Sequence, residues 1–497
     1  MDSAQLLLSG FGAALALDNL LYAFVGCILG TVVGILPGLG PVSATAILIP
    51  LTFHLSKTGA IIMLAAIYYG AMYGGTITSV LINVPGETAS VITCIDGYQM
   101  ARKGRAGAAL SIAAIGSFIG GTVAMLGLVI AAPPLARKAL EFGPPELFGM
   151  MVLGLSLIMG LAGKSLVKGL MMGMLGLFLS MVGMEVGEGI PRFTFDSIQL
   201  MRGIDFIAIL IGLFGISEIL LNAGKPSSSV LQAKMTSLVP TRQDVKDSAW
   251  PIARGTVLGF FLGLIPGLGT AIPTIISYVT EKKLSKHPER FGNGAIEGVA
   301  GPETANNSYA NAAFIPLLTL GIPSSPTIAV LMGAFMMNGV TPGPLLFRDH
   351  APLVWTVIAS MYVGNVILLV LNLPLIPMWV SILRIPYSIL FTLILLFTVV
   401  GAYSLNNQIF DVGVMVFFGV IGYVLRKLDF PLAPIALTLI LGPIMENSLR
   451  QSMSMSQGSF LIFFQRPVAA AFLALAVVVL VTTGIGLARS ARRDSEV

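Results

Sequence analysis

"GILPGLGPVSATAILIP" spans Gly34 to Pro50, and "GLIPGLGTAIPTIISY", spanning Gly263 to Tyr278, repeats its core. A proline inside an apolar helix removes one backbone hydrogen bond and collides with the preceding turn. In lipid an unsatisfied backbone group is costly, so such a break survives only where something else satisfies it. Aligned at PGLG, Gly26, Gly30 and Gly34 match Gly255, Gly259 and Gly263, and Thr45 matches Thr274. Glycine at every fourth position gives a helix one smooth face for close packing. A duplicated packing helix would explain that stripe, but not the break that follows it.

Composition sets the class. The 497 residues are 56% hydrophobic and only 10% charged, against about 25% charged in soluble domains. Mean hydropathy is +0.91. Runs such as Gly107–Ala132, Ile204–Leu221, Leu353–Leu371, Pro386–Ala402 and Val468–Leu487 approach or exceed the roughly 20 apolar residues that span a bilayer. The expected fold is an all-α polytopic integral membrane protein with roughly 11 to 14 embedded segments, several broken or re-entrant. The two cysteines, Cys27 and Cys94, lie in apolar surroundings and give no disulfide framework. The net charge of +5 sits in loops, as the positive-inside rule expects, so no nucleic-acid partner is indicated. The three histidines fall in predicted loops, and no HExxH or Walker A motif is present. Enzyme chemistry and ATP hydrolysis by this chain therefore find no support.

The polar stretches divide the chain. Residues 1–221 read as a first membrane half and 222–254 as a cytoplasmic linker. Residues 255–488 read as a second half and 489–497 as a cytoplasmic tail. A weaker echo follows each PGLG copy: "INVPGETAS" (Ile82–Ser90) resembles "LGIPSSPTI" (Leu320–Ile328), with Pro85 opposite Pro323. Loop charges are biased in opposite senses. After the first break, half one has only Lys57, whereas half two has Lys282, Lys283, Lys286 and Arg290. After the second break, half one has Arg102, Lys103 and Arg105, whereas half two has Arg348 beside Asp349. Opposite bias implies opposite orientation, the signature of an inverted-topology repeat.

Paired broken helices in inverted repeats place a site near the bilayer midplane. A helix restarting after PGLG offers free N–H groups and the positive end of its dipole to an anion. The anion-binding candidates are Gly38, Gly40, Ser43 and Thr45 in half one. In half two they are Gly267, Gly269, Thr270, Thr274, Ser324 and Ser325. Helix capping would explain any one of these hydroxyls equally well. In "GPETANNSYANAAFIP" (Gly301–Pro316), Glu303, Asn307 and Asn311 share one helix face, with Asn306 beside them. Carboxylate and amide oxygens, with carbonyls released by a broken helix, suit a hard cation such as sodium. Asn83, Glu87 and Thr88 are the corresponding candidates in half one. Polar glue between helices is the competing explanation.

At these motifs the sequence resembles the large membrane subunit of the tripartite tricarboxylate transporter family. The resemblance is carried by "GILPGLGPVSATAILIPLTF", "YGGTITSVLINVPGETASVIT", "GLIPGLGTAIPTIISY" and the long block from Glu297 to Phe347. It implies a multi-pass protein of the bacterial inner membrane with two partners, a small membrane subunit and a periplasmic solute-binding protein. It also implies uptake of citrate-like carboxylates driven by a sodium or proton gradient, with no organic cofactor. The expected mechanism is alternating access, with an elevator-type movement as one arrangement. The long helices around Gly107–Ala132 and Val468–Leu487 would form its scaffold. A carrier for another organic anion, an anion channel and a membrane enzyme are the competing classes. Saturable gradient-driven uptake of an unchanged solute separates the first reading from the last two.

Overall fold

The computed structural model describes residues 3–36, 39–161, 165–185, 189–222, 239–382 and 387–495. Its secondary structure is 79% helical, and among the described residues the sheet is one two-residue pairing, Gly183–Met184 with Pro191–Arg192. Among the described residues, six helices are long and apolar enough to cross a membrane: Leu17–Ile35, Lys57–Ile82, Ala106–Ala139, Ala351–Asn372, Ile409–Lys427 and Pro467–Gly486. Six shorter apolar helices accompany them. The chain is an all-α polytopic membrane protein.

One order of elements occurs twice. In the first half it is Leu17–Ile35, a break, Gly40–Leu48, Lys57–Ile82, a second break, Val91–Arg102 and Ala106–Ala139. In the second half it is Arg242–Gly263, a break, Ala271–Leu284, Glu297–Ala312 running on through Phe314–Leu320, a second break, Pro326–Met337 and Ala351–Asn372. The glycine stripes explain the closest pairings. A Cβ on Gly26, Gly30 or Gly34 would meet the carbonyl oxygens of Met63, Ile67 and Ala71 in turn. A Cβ on Gly255, Gly259 or Gly263 would meet those of Gly301, Ala305 and Tyr309. Partner carbonyls one turn apart on each side are what a four-residue glycine period selects.

Both partner helices end alike. Asn83 (φ 57°) and Gly321 (φ 69°) occupy the left-handed region, and a proline follows two residues later in each case, Pro85 and Pro323. A left-handed residue closes the helix, and proline, having no N–H, prevents its resumption.

The rest of the chain packs around these two units. Pro144–Leu161 lies against Pro467–Ser495 and Ala433–Met455, and Ile409–Lys427 lies against Ile211–Ile216. That last segment is a π turn inside the helix running from Phe206 to Asn222. Its Phe214 carbonyl accepts a 2.8 Å hydrogen bond from the Ser43 hydroxyl, fixing the short helix after the first break.

Three expectations shift. The expected linker 222–254 does not extend to 254, because Arg242–Gly263 is one helix opened by a Thr241/Asp244 capping box. The tail boundary at 488 falls inside the Pro467–Ser495 helix. The helix containing Gly107–Ala132, assigned to the scaffold, packs extensively on Glu297–Ala312 and supplies a residue to the polar cluster.

Candidate functional site

The second break of half one, residues 83–90, touches both PGLG regions. A Cβ on Gly86 would strike the Gly34 carbonyl and would lie 2.6 Å from the Gly75 Cα. Thr88 Oγ1 lies 3.5 Å from Thr270 Oγ1. In half two, Gly269 N–H donates to the Ser324 carbonyl at 3.4 Å, and Tyr309 OH donates to the same oxygen at 2.9 Å. The breaks therefore form one contiguous region.

Glu303 and Glu87 are the carboxylates of this region, and each is 5% exposed or less. Removing an ion from water costs several kcal/mol unless neighbours compensate it. Glu303 is compensated on both oxygens. Thr76 donates to Oε2 at 2.6 Å, and Thr93 donates to Oε1. Because Thr76 and Thr93 belong to half one, Glu303 joins the halves. Glu87 is only partly compensated. Asn306 Nδ2 donates to its Oε1 at 2.8 Å, while its Oε2 has no donor.

The amides of the polar helix diverge. Asn306 faces the break, whereas Asn307 Nδ2 donates to Ser117 Oγ at 2.7 Å on the Ala106–Ala139 helix. Asn311 Nδ2 donates to the Asn307 carbonyl at 2.8 Å. The Oδ1 atoms of Asn306 and Asn307 and the Ser324 hydroxyl are buried without partners. Among the described residues, the buried charged side chains are Asp and Glu, with no Lys, Arg or His. No group of three His, Cys, Asp or Glu side chains is placed to hold a metal among the described residues. The donor set is thus amides, hydroxyls and carboxylates, which suits a hard cation and not a soft transition metal.

Several candidates sit elsewhere or turn away. Gly38 lies outside the described residues. Ser43 donates to Phe214, Thr45 to the Pro41 carbonyl at 2.8 Å, and Thr274 to the Ala271 carbonyl at 2.7 Å. Ser325 caps its helix by accepting from the Ile328 N–H. Asn83 is exposed, and its left-handed backbone accounts for its position. Gly40, Gly267 and Gly269 all have positive φ. At Gly267 a Cβ would also fall 2.8 Å from the Ile158 nitrogen, so that position requires glycine on two counts. Thr270 is buried and Thr88 exposed, and both stay at the mouth of the break region.

Sequence reasoning missed Thr76, Thr93 and Ser117, hydroxyls scattered through apolar helices without a spacing that marks them. It also missed Asp96. That buried carboxylate accepts from the N–H groups of Gly292, Gly294 and Ala295 at 2.7–2.9 Å and from Tyr278 OH at 2.8 Å. It pins Val91–Arg102 of half one to the loop entering the polar helix of half two. A cavity of about 10 Å³ beside Thr76 and Ser117 has room for about one water molecule, too little for a carboxylate solute.

The chain is 48% identical over 493 residues to an uncharacterised 52.8 kDa protein from the TAR-I ttuC′ 3′ region of Agrobacterium vitis, covering 99% of this chain and 98% of the relative. It is 47% identical over 234 residues to an uncharacterised protein from the TAR-II ttuC′ 3′ region of the same organism, covering 47% of this chain and 97% of that relative. No solved structure matches the chain. The sequence profile described as the tripartite tricarboxylate transporter TctA family matches residues 20–437, a stretch that holds both glycine stripes, all four breaks and the buried Glu87 and Glu303 of the break region, and the chain belongs to that family of transporter subunits.

Proposed function

We propose that this chain is the membrane-embedded carrier of a three-component uptake system for citrate-like tricarboxylates or related organic carboxylates. A sodium or proton gradient drives it in the bacterial inner membrane. A periplasmic binding protein supplies the solute, and a small membrane subunit completes the assembly. The observation that carries this reading is the charge of the break region, which contains buried carboxylates and, among the described residues, no buried base. An anion entering such a place alone is repelled by Glu87 and Glu303. An anion entering with cations is not, so binding one requires binding the other, and that requirement is coupling. Helix N-termini at Thr270–Ala271 and Ser325–Pro326 supply N–H groups for the carboxylate end of the solute.

The matched order of elements and the opposed loop charges support two inverted repeats. In this reading, alternating access moves the broken helices past a scaffold that includes the Pro467–Ser495 helix. The test is uptake of labelled citrate and smaller carboxylates into proteoliposomes holding this chain with its two partners. Sodium and proton gradients are imposed separately. Saturable, gradient-dependent accumulation of unchanged solute is expected, and Asn307→Ala reduces it to background while the protein still inserts. A current linear in solute concentration and independent of the cation gradient would establish a channel instead.

A further inference from the structure

We propose that Glu87 and Asn306 bind one monovalent alkali cation between the second break of half one and the polar helix of half two. The proposal rests on the carrier reading and names the place of its coupling ion. Four observations converge there.

The first is the pair of orphan acceptors. Glu87 Oε2 and Asn306 Oδ1 are buried without donors, and they belong to two side chains already joined by a 2.8 Å hydrogen bond. Each orphan atom is attached to the same carbon as an atom of that bond, so both lie within a few ångströms of it. Both are acceptors, so a cation satisfies them and a second anion does not.

The second is the helix end. Lys57–Ile82 stops at Asn83, with Pro85 next but one, so carbonyls of its last turn lose the N–H groups they would meet in a continuing helix. The chain then folds back along this helix, so that the Glu87 stem packs beside Gly75, about two turns before the end.

The third is the room made for Glu87. A Cβ on Gly75 would lie 2.9 Å from Glu87 Cγ and 3.3 Å from Ser90 Oγ. Ser90 Oγ also accepts from the Glu87 N–H at 3.3 Å and donates to the Glu87 carbonyl at 3.0 Å. The carboxylate is thus held by a formed turn against a glycine that accommodates its stem.

The fourth is the contrast with Glu303. Its two oxygens already accept from Thr76 and Thr93, so it ties the halves together without needing an ion. One uncompensated carboxylate matches one positive charge. A divalent ion would leave a net charge in a low-dielectric place.

The test uses the purified full-length chain in detergent, unfolded thermally in sodium, potassium or choline chloride at equal ionic strength. A saturable rise in Tm with sodium is expected in the wild type and absent with choline. Glu87→Gln and Asn306→Leu should need at least tenfold more sodium for the same rise. Asn306→Asp, which keeps an oxygen at the site, should retain it. Glu303→Gln should lower the starting Tm yet keep the sodium half-point, which separates loss of the ion from loss of packing. A wild type without a rise in either sodium or potassium over choline, or an unchanged half-point in Glu87→Gln, overturns the assignment. Uptake in proteoliposomes separates the two ideas. Proton-driven accumulation indifferent to sodium removes the cation site and leaves the carrier. A normal sodium response with no carboxylate uptake under any gradient removes the carrier and leaves a cation site of other purpose.

Discussion

The Lys57–Ile82 and Glu297–Leu320 segments hold the same place in their halves and carry opposite chemistry. Each is gripped by a glycine-striped helix at three successive carbonyls, and each ends in a left-handed residue with a proline two positions on. The glycine contacts align Ala65 with Glu303, Tyr68 and Tyr69 with Asn306 and Asn307, and Gly75 with Ala313. The first segment is apolar enough to count as a membrane span, whereas the second is not, although its helix is buried from Gly298 to Ala312. Backbone architecture is alike in both segments, while the carboxylate and amide groups of the site are concentrated in one. The breaks show the reverse asymmetry, because Glu87 in half one aligns with Ser325 in half two. Gly75 and Ala313 follow from that difference. A carboxylate needs the space of a missing Cβ, and a serine that caps a helix does not. The site is thus assembled from unlike contributions of two like frames.

The largest effect should come from the shared frame. Gly30→Leu and Gly259→Leu each drive a side chain into a neighbouring backbone, at Ile67 and Ala305, where only displacement of the whole helix relieves it. Both should abolish the monodisperse folded peak in size-exclusion chromatography. Tolerance of one and not the other would break the equivalence of the halves.

Next comes the bond between the halves. Thr76→Val removes the 2.6 Å donor to Glu303 Oε2, leaving a buried carboxylate oxygen unsatisfied at a cost of about 1–3 kcal/mol or more. Thermal unfolding should show a Tm lower by about 1–3 °C. An unchanged Tm would mean that Glu303 does not join the halves energetically.

A finer test exploits the aligned pair. Gly75→Ala crowds the Glu87 stem and should raise the sodium concentration for half-maximal uptake severalfold. Ala313→Gly, at the aligned position, should leave that concentration unchanged, because Ser325 needs no such room. Equal responses would show that Gly75 serves packing alone.

The smallest effect lies outside the membrane, where Arg105 pairs with Asp244. Burial pushes the Asp244 carboxyl up, but Arg105 and the Thr241 contacts outweigh it and hold the group below its usual range. A depressed native value contributes stability above the unfolded value near about pH 4 and loses it as pH falls through the native one. The Tm difference between wild type and Arg105→Ala should therefore be small and constant from neutral pH down to about 5, shrinking below about 4. A difference that grows on acidification would contradict the pairing.

Much of this was legible in the residues. Apolar run length gave the class. The PGLG repeat with its glycine stripe gave the two breaks and the packing face, because glycine spacing and proline chemistry act locally. Glu87, Glu303 and Asn306 were visible as polar groups where lipid tolerates few. Which of them remained uncompensated was not visible. That depends on Thr76, Thr93 and Ser117, hydroxyls from helices distant in sequence with no periodicity to announce them. The hydroxyls of Ser43, Thr45 and Thr274 were equally open until the fold turned them toward carbonyls. The sequence by itself therefore determined where this chain's helices break and which faces press together, since propensity and sterics operate within a few residues. Only the tertiary structure decided which oxygens are left without a donor, since a hydrogen-bond partner is settled by what the folded chain brings within about 3 Å.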